Sequence, residues 1–353
     1  MNEINSPVNV ALCSFGMSGL VFHAPFIHAN PGFNLYAVLE RSKKNASAIY
    51  PGITSFDTFE TMLADDAIDL VIVNTPNYTH FDLAKRSLLA GKHVLVEKAF
   101  TVTVSEAEEL IEIAKKKNKK LSVFQNRRYD SDFKTVKKIV EEGLLGNIID
   151  AEFHFDRYKP ELSPKQHKET PLPGSGLLHD LGPHLIDQAL YLFGMPSSVF
   201  GSIRIVRPGS LVNDHFDIML FYPTLTVSLK SSLLVKELLP AYILHGMNGS
   251  LTKERADVQE DILKEGQKPG TKEWGTEPSA AMAVLNINKN GETSRTTIAS
   301  LQGNYMDFYN GLYEAIVHNK ELPVSAEDGL RVMRMIEAVL ESNSAGTAIA
   351  VRP

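Results

Sequence analysis

Residues 69–98 constrain the fold of this chain more than any other stretch. Two short apolar runs, residues 70–74 and 93–96, flank a segment in which apolar side chains recur with helical spacing. A strand, a helix of about a dozen residues and a second strand form a parallel crossover unit. Ligands of an open parallel sheet bind beyond the carboxyl ends of its strands, so the polar residues after each run are candidates for function. These residues are Asn74, Thr75, Asn77, Glu97 and Lys98.

Strands and helices alternate through the whole N-terminal part of the chain. Strands are predicted at residues 8–13, 35–39, 70–74, 93–96 and 121–124, and a helix at residues 106–117. Ser105 is a suitable N-cap for that helix, and Glu108 completes a capping box. Alternation of this kind predicts a doubly wound parallel sheet of the Rossmann type.

The pattern changes after Gln125, where longer runs alternate apolar and polar residues and predict strands with one buried face. The predicted strands are residues 148–158, 199–206, 214–221, 226–234 and 241–245, with helices at 132–143, 185–193, 305–319 and 326–342. The predicted fold class is α/β plus α+β. It comprises a dinucleotide-binding Rossmann domain at residues 1–124 and a C-terminal open, mostly antiparallel sheet domain at residues 125–353, for substrate binding and oligomerisation.

Composition restricts the partners and the compartment of the protein. The net charge of −6 over 353 residues argues against a nucleic-acid surface, and the short lysine runs lie beside predicted helices. Cys13 is the single cysteine, so no disulfide forms within the chain. We find no signal peptide and no apolar stretch of the roughly 20 residues that a membrane span needs. We therefore expect a cytoplasmic protein that binds neither nucleic acid nor membrane.

A glycine-bearing turn follows the first predicted strand and precedes an apolar helical pattern. Gly16 and Gly19 match the second and third glycines of the dinucleotide fingerprint, while Ser14 replaces the first. The second glycine lets a pyrophosphate approach the backbone, and the third lets helix and strand pack closely. The first glycine serves only the tight turn, where a small serine is tolerated. The turn therefore predicts a dinucleotide site.

The end of the second predicted strand carries two conflicting signals about the cofactor. Glu40 lies about 20 residues after Gly19, the spacing at which an acid binds the ribose 2′-hydroxyl and favours NAD. Arg41 and Ser42 follow directly with two lysines, and such a cluster suits the 2′-phosphate of NADP. We favour NADP, because Arg41, Ser42 and a lysine together satisfy a dianion while Glu40 turns aside. NAD stays the alternative.

A second constellation lies at the glycine-rich entry to the helix predicted at residues 185–193. Asp180 and His184 stand at positions i and i+4, so on a helical turn they share one face. A carboxylate beside a histidine raises its basicity, which suits removal of a proton from an alcohol. Asp187 is placed to support His184 from one turn further on. No cysteine or acid cluster completes a metal shell with these residues, so we expect no metal.

These motifs resemble the glucose–fructose oxidoreductase, inositol dehydrogenase and rhizopine-catabolism (Gfo/Idh/MocA) oxidoreductase family. The resemblance rests on the partial glycine turn, on Glu97 and Lys98 ending a strand, and on Asp180 and His184 later in the chain. It covers nearly the whole sequence. Residues 18–25 and 125–130 resemble a branch that includes an NADP-dependent scyllo-inositol dehydrogenase and uncharacterised bacterial relatives.

The resemblance implies a role for each matching residue. Lys98 matches the active-site lysine that contacts the substrate hydroxyl, Asp180 the aspartate that positions substrate and lysine, and His184 the general base. The implied cofactor-binding set is Ser14, Phe15, Gly16, Met17, Gly19, Glu40, Arg41, Ser42, Asn74, Thr75, Asn77, His80, Glu97, Lys98, Asn126 and Arg127.

One position departs from the family pattern. The family usually reads Glu-Lys-Pro, whereas Ala99 follows Lys98 here. A cis bond to alanine costs about 3–4 kcal/mol. We therefore expect Lys98 to lie on a trans peptide, or to be held less firmly than in its relatives.

The resemblance implies an NAD(P)-dependent enzyme that transfers hydride between nicotinamide and a secondary alcohol or ketone of a sugar, inositol or related polyol. Two alternatives stay open: a non-catalytic NAD(P)-binding sensor, and an NAD-dependent enzyme that cleaves glycosides. We also expect a homodimer or homotetramer, formed through the C-terminal sheet. Strands such as residues 226–234 offer a broad face, and a large exposed apolar patch usually marks an interface.

Overall fold

The computed structural model describes residues 6–41, 44–164, 166–289 and 291–351. The strands in chain order are β1 Val8–Leu12, β2 Phe33–Leu39, β3 Thr54–Phe56, β4 Leu70–Val73, β5 His93–Val96, β6 Leu121–Val123, β7 Ile148–His154, β8 Ser198–Arg204, β9 His215–Phe221, β10 Thr226–Ser232, β11 Tyr242–Gly246, β12 Gly249–Lys253, β13 Ala283–Lys289, β14 Glu292–Ile298 and β15 Ile349–Ala350. The helices are α1 Ala24–Ala29, α2 Ala46–Ile49, α3 Phe59–Leu63, α4 His80–Leu89, α5 Val104–Lys117, α6 Ser131–Glu141, α7 Gln166–Glu169, α8 Leu177–Asp180, α9 Gly182–Phe193, α10 Gln259–Lys264, α11 Met306–Val317 and α12 Ala326–Ala345.

These elements form two compact units. The first contains the described residues up to Asn126 together with residues 258–274 and 304–330, and the second contains the remainder. Two later segments therefore belong to the N-terminal unit, which a single boundary at residue 124 does not include. The assignment of cofactor binding to residues 1–124 and of substrate binding and oligomerisation to residues 125–353 stays a prediction.

The first unit is built on a six-stranded sheet in the order β3-β2-β1-β4-β5-β6. Every pairing in it is parallel. The apolar runs that predicted β4 and β5 are fully or almost fully buried on both faces, as parallel strands between helices require. Because β1 pairs with β4 and β4 with β5, the residues after these three strands meet at one edge. The prediction of a Rossmann sheet is confirmed.

The capping of α5 differs from the prediction. The helix begins at Val104, and the Thr103 side chain accepts a hydrogen bond from the backbone of Glu106. The Glu106 carboxylate in turn accepts a hydrogen bond from the Thr103 backbone at 3.1 Å. The capping box is therefore Thr103 with Glu106, and the assignment to Ser105 and Glu108 is wrong. Both pairs have the required spacing, but the earlier pair lets helix formation start two residues sooner.

The second unit is built on a nine-stranded sheet in the order β14-β13-β12-β11-β7-β10-β9-β8-β15. Only β7 and β10 pair in parallel, and the other pairings are antiparallel. In β9, Phe216, Ile218 and Leu220 are fully buried, while the alternating residues are half-buried. Helix α9 lies against β10. The prediction of a mostly antiparallel C-terminal sheet is confirmed.

Two further sequence expectations concern Cys13 and the membrane. Cys13 is buried, and burial raises the pKa of its thiol above the ordinary value. Among the helices of the described residues, none is long and apolar enough to cross a bilayer. The cytoplasmic location stays a prediction.

Candidate functional site

The glycine turn after β1 is held by a side chain from the end of β4. The Asn74 Oδ1 atom accepts a hydrogen bond from the Ser14 N–H at 3.0 Å, and Asn74 Nδ2 donates to the Ser14 carbonyl at 2.8 Å. The Ser14 hydroxyl accepts from the Gly16 N–H at 3.2 Å. Serine at the first glycine position therefore closes the turn with its own side chain. The Asn74 side chain therefore holds the turn at Ser14. A contact between Asn74 and the cofactor stays a prediction.

The two glycines of the turn meet different surroundings. A Cβ atom at Gly19 would lie 2.4 Å from the Ser14 carbonyl oxygen and 2.9 Å from Asn74 Nδ2, so only glycine fits there. A Cβ atom at Gly16 would meet nothing closer than the Ser14 hydroxyl, at 3.4 Å. The exposed backbone at Gly16 is thus open to a ligand that a side chain would displace. This pair of environments fits the pyrophosphate of a dinucleotide.

The helical segment after the turn begins with a π-helical turn, Ser18–His23, which continues into α1. The Leu20 N–H donates to the Gly16 carbonyl at 2.9 Å. Met17 is 53% exposed, and Phe15 packs edge-on against Tyr50 with ring centroids 6.2 Å apart. The start of this segment adds favourable N–H groups for an anion to the open backbone of the turn.

Glu40, at the end of β2, is turned into the protein. Its Oε1 atom accepts hydrogen bonds from the Asn45 N–H at 2.8 Å and the Ala46 N–H at 3.2 Å, at the start of α2. Its Oε2 atom accepts from the Ser55 hydroxyl at 2.6 Å. The residue is only 6% exposed. Its carboxylate therefore stabilises the start of a helix, which removes the strongest sequence argument for a ribose contact.

The charged residues after Glu40 differ in whether their side chains bind other groups of the protein. Arg41 is exposed, and within the described chain its guanidinium has no hydrogen bond or ion pair. Lys44 Nζ donates to the Glu40 carbonyl at 3.0 Å and pairs with Asp57 at 2.6 Å. Ser42, predicted as a phosphate ligand, lies outside the described residues. Among the described residues that follow β2, Arg41 is therefore the positive group that remains open to an anion.

His80 connects the segment after β4 with the segment after β5. Its Nδ1 atom lies 2.8 Å from the Ala99 carbonyl oxygen, and its Nε2 atom lies 2.9 Å from that of Thr75. Burial lowers the pKa of His80, although these carbonyl groups favour the protonated form. The Thr75 hydroxyl lies 2.6 Å from the hydroxyl of Thr79, and Asn77 lies in the adjacent 3-10 turn. The buried imidazole thus contacts two backbone carbonyl groups, one after β4 and one after β5.

Glu97 and Lys98 follow β5 directly. The Glu97 Oε1 atom accepts a hydrogen bond from the Ser18 hydroxyl and lies 3.0 Å from His23 Nε2. Its Oε2 atom accepts from the Lys98 N–H at 3.1 Å. Burial favours the neutral acid, but the hydrogen bonds from His23 and Ser18 and the charges of His23 and Lys98 hold the Glu97 pKa at about 2. Glu97 is therefore a carboxylate at neutral pH.

The peptide bond between Lys98 and Ala99 is cis. The expectation of a trans peptide at this position is therefore wrong. Ala99 is buried, and its carbonyl group is the one that His80 contacts at 2.8 Å. The alternative expectation, that Lys98 is held loosely, also receives no support, because hydrogen bonds from the protein fix the backbone on both sides of this bond.

Asn126 and Arg127 fall on opposite sides of the division between the two units. Asn126 is buried at the end of the first unit. In the second unit, Arg127 Nη1 pairs with Asp130 at 3.2 Å, and its carbonyl accepts from Gln188 Nε2 at 3.1 Å. The structure gives Arg127 structural partners, and its proposed contact with the cofactor stays a prediction.

The segment with Asp180 and His184 belongs to the second unit. Asp180 is the last residue of α8, and α9 begins at Gly182, so the two residues do not lie on one continuous helix. Asp180 lies 3.4 Å from Lys168 Nζ. Asn213 holds the start of α8: its side chain accepts from the Leu178 N–H at 2.8 Å. Sequence analysis missed Asn213, because no local pattern links it to a helix so far away in the chain.

His184 is 5% exposed and lies beside an aromatic ring, that of Phe155, which arginine side chains surround. Its imidazole centroid is 6.3 Å from that of Phe155. The guanidinium carbons of Arg255, Arg157 and Arg127 lie 4.0, 5.1 and 5.6 Å from the Phe155 centroid. Three cations thus gather around the ring next to His184. Cations gathered in this way favour negative charge in their neighbourhood.

Asp187, which lies on α9, forms an ion pair with Arg128. Its Oδ2 atom accepts from Arg128 Nε at 2.8 Å, and its Oδ1 atom accepts from Arg128 Nη2 at 2.7 Å. Both side chains are buried, so this bidentate ion pair fixes α9 to the segment after Arg127. Asp187 therefore binds Arg128, and its expected support of His184 stays a prediction.

Burial lowers the pKa of His179. Across residues 6–41, 44–164, 166–289 and 291–351, no group of three or more His, Cys, Asp or Glu side chains is arranged to hold a metal ion.

Comparison with known protein families matches nearly the whole chain. Residues 8–125 match the model described as the NAD-binding Rossmann fold of the Gfo/Idh/MocA oxidoreductase family. Residues 137–351 match the model of the C-terminal alpha/beta domain of the same family.

Individual relatives are similar over almost their full lengths. The uncharacterised oxidoreductase YdgJ of Escherichia coli is 39% identical, with 95% of this chain and 96% of that protein covered. The scyllo-inositol 2-dehydrogenase (NADP(+)) IolW of Bacillus subtilis is 35% identical, with 95% and 94% covered. The structure of yvaA from Bacillus subtilis has a TM-score of 0.94 and 34% identity, covering 98% of this chain and 99% of that one.

The two glycines of the turn allow a matched test of the nucleotide site. We expect Gly16→Ala to leave the free energy of unfolding within about 0.5 kcal/mol of the parent, since its Cβ finds space, yet to weaken dinucleotide binding at least about tenfold. Gly19→Ala should lose about 1–3 kcal/mol of stability, because its Cβ collides with Ser14 and Asn74. Urea unfolding and fluorescence titration measure both effects. Unchanged binding by Gly16→Ala would contradict the assignment.

Proposed function

Because the chain belongs to the Gfo/Idh/MocA oxidoreductase family, we propose that it transfers hydride between NADP and a secondary alcohol or ketone of a sugar, inositol or related polyol. One observation carries the proposal: the turn of Gly16, open to a pyrophosphate, and the strand end that bears Lys98 meet at one edge of the Rossmann sheet. The hydrogen bond from the Ser18 hydroxyl to Glu97 joins them. A lysine beside a dinucleotide turn suits alcohol oxidation, because its positive charge stabilises an oxygen that becomes negative as hydride leaves the carbon.

In this proposal the residues divide the work of alcohol oxidation. A bound nicotinamide supplies the hydride acceptor, or the donor in the reverse direction. His184 takes the proton of the substrate hydroxyl in oxidation and returns it in reduction. Lys98 stabilises negative charge that develops on the substrate, and Asp180 orients the substrate. The arginines around Phe155 support the charge distribution next to His184.

The preference for NADP rests on the two residues at the end of β2. Glu40 is 6% exposed and accepts three hydrogen bonds from within the protein, so its carboxylate is largely committed away from a ribose 2′-hydroxyl. Arg41 is exposed next to it. A guanidinium binds a phosphate dianion through two parallel hydrogen bonds. The NADP(+) in the name of the relative IolW agrees with this preference.

We also propose that two copies of the chain associate through the open face of the second sheet. On β8 and β9, Phe200 lies opposite Met219, and both are half-buried. Nearby on the same sheet, Lys230 pairs with Glu152 at 3.0 Å. This face is therefore mixed rather than purely apolar, with apolar residues beside a charged cluster, as in many protein interfaces.

Lys98 provides the direct test of the catalytic proposal. Lys98→Ala should lower kcat at least about 1,000-fold, because the oxygen loses its positive partner, while the Kd for NADPH changes less than about threefold. Kinetics with a polyol or ketone substrate and fluorescence titration measure both. Lys85→Ala, at an exposed ion pair on α4, is the control and should behave as the parent. Full activity of Lys98→Ala, or no turnover of any polyol, sugar or ketone by the parent, would contradict the proposal.

Arg41 tests the choice of cofactor. Arg41→Ala should weaken NADPH binding about 10- to 100-fold and leave NADH binding unchanged, because only NADPH carries the 2′-phosphate. Lys44→Ala is the matched control, since its ammonium already pairs with Asp57. Equal losses for NADPH and NADH in Arg41→Ala would assign Arg41 to something other than the 2′-phosphate.

Met219 tests self-association. We expect Met219→Arg to shift the protein from an oligomer to a monomer at micromolar concentration, because a cation is then buried without a partner. Met247, 72% exposed between β11 and β12, allows the same change outside this face as a control. Sedimentation velocity measures both. A parent protein that is monomeric, or a Met219→Arg variant that still associates, would contradict the proposed interface.

A further inference from the structure

His23 is fully buried and has two hydrogen-bond partners that fix its protonation. The Tyr309 hydroxyl donates its single proton to the Phe22 carbonyl at 2.6 Å. His23 Nδ1 lies 2.9 Å from the same hydroxyl oxygen and must therefore donate to it. His23 Nε2 lies 3.0 Å from the Glu97 carboxylate and donates there. Two donated protons make His23 an imidazolium.

The same carboxylate connects two parts of the proposed active site. The Ser18 hydroxyl, in the helical segment after the dinucleotide turn, donates to Oε1, and the backbone N–H of Lys98 donates to Oε2. The residues Ser18, His23, Glu97 and Tyr309 are called the Glu97 network below. All of them lie in the first unit. Through it, a buried ion pair bears directly on the backbone of Lys98.

We propose that the Glu97 network is a positioning device that holds Lys98 in its reactive orientation, with Tyr309 and His23 acting through Glu97. The proposal rests on the role of Lys98 in the proposed function. An unpaired buried carboxylate would have to take up a proton, draw in water or turn away. Each of these changes removes the acceptor that fixes the Lys98 N–H. Tyr309, on α11, thereby influences the reaction without touching the substrate.

The ion pair of His23 and Glu97 is surrounded by charged, titratable and aromatic side chains of the first unit. Lys98 and His80 face Glu97, and the rings of Phe124 and Tyr309 pack against His23, with centroids 4.6 and 6.5 Å away. Ser18 is the remaining polar neighbour of the carboxylate. The imidazolium therefore provides the principal compensation for the charge of Glu97 from outside its own strand end.

A double-mutant cycle tests this role. Tyr309→Phe removes the hydroxyl but keeps the ring, which stacks on Phe26 with centroids 5.4 Å apart. We expect it to lower kcat about tenfold and to leave the substrate KM within about twofold, because Lys98 is misplaced while substrate binding elsewhere is intact. Glu97→Gln should cost more, and the double variant should be no worse than Glu97→Gln alone, since both changes act through one carboxylate.

Tyr313→Phe, one turn further along α11, is the control and should match the parent. Unchanged kcat in Tyr309→Phe, or losses that add in the double variant, would overturn the proposal. If Lys98→Ala is fully active, the proposed function itself fails. Nitrogen NMR of protein labelled with ¹⁵N-histidine then still decides, with His23→Gln identifying the signal: two protonated ring nitrogens support the network, and a neutral ring overturns it.

Discussion

The compensation of one largely buried carboxylate, that of Glu97, determines the arrangement of the candidate site in the first unit. A buried charge costs several kcal/mol unless it is paired and hydrogen-bonded. Glu97 gains these partners from the segment after β1 through Ser18 and His23, and from its own strand end through the Lys98 N–H. The dinucleotide turn and the lysine are therefore held together by the same interaction. Asn74 adds a second connection, from the end of β4 to the turn at Ser14.

Periodicity along the sequence was sufficient to predict the fold class. Buried parallel strands are apolar on both faces and antiparallel strands on one, so β5 and β9 could be recognised without tertiary information. Gly16, Gly19 and Lys98 were selected because their chemistry is tied to a fixed place in such a sheet, and their roles stay predictions. Strand β14 was missed because all of its residues are exposed or half-buried and none gives an apolar alternation.

Other features depend on contacts between distant residues, which no local pattern encodes. Glu40 has the spacing of a ribose ligand, yet the N–H groups at the start of α2 and the Ser55 hydroxyl take up its carboxylate. Asp187 has the spacing to support His184 but meets Arg128 in a bidentate ion pair. In each case the side chain satisfies a buried partner, and sequence spacing alone gives no sign of that partner. The pair of His23 and Tyr309 is hidden for the same reason.

The central claim is that the first unit binds NADP through the open backbone at Gly16 and the exposed Arg41. The most direct measurement is a thermal-shift titration of cofactor-free protein with NADPH and NADH in parallel, since a ligand that binds the native state stabilises it by RT ln(1 + [L]/Kd). We expect stabilisation by both nucleotides, with NADPH bound at least about tenfold more tightly. No stabilisation by either nucleotide would contradict it, and tighter binding of NADH would contradict the role of Arg41.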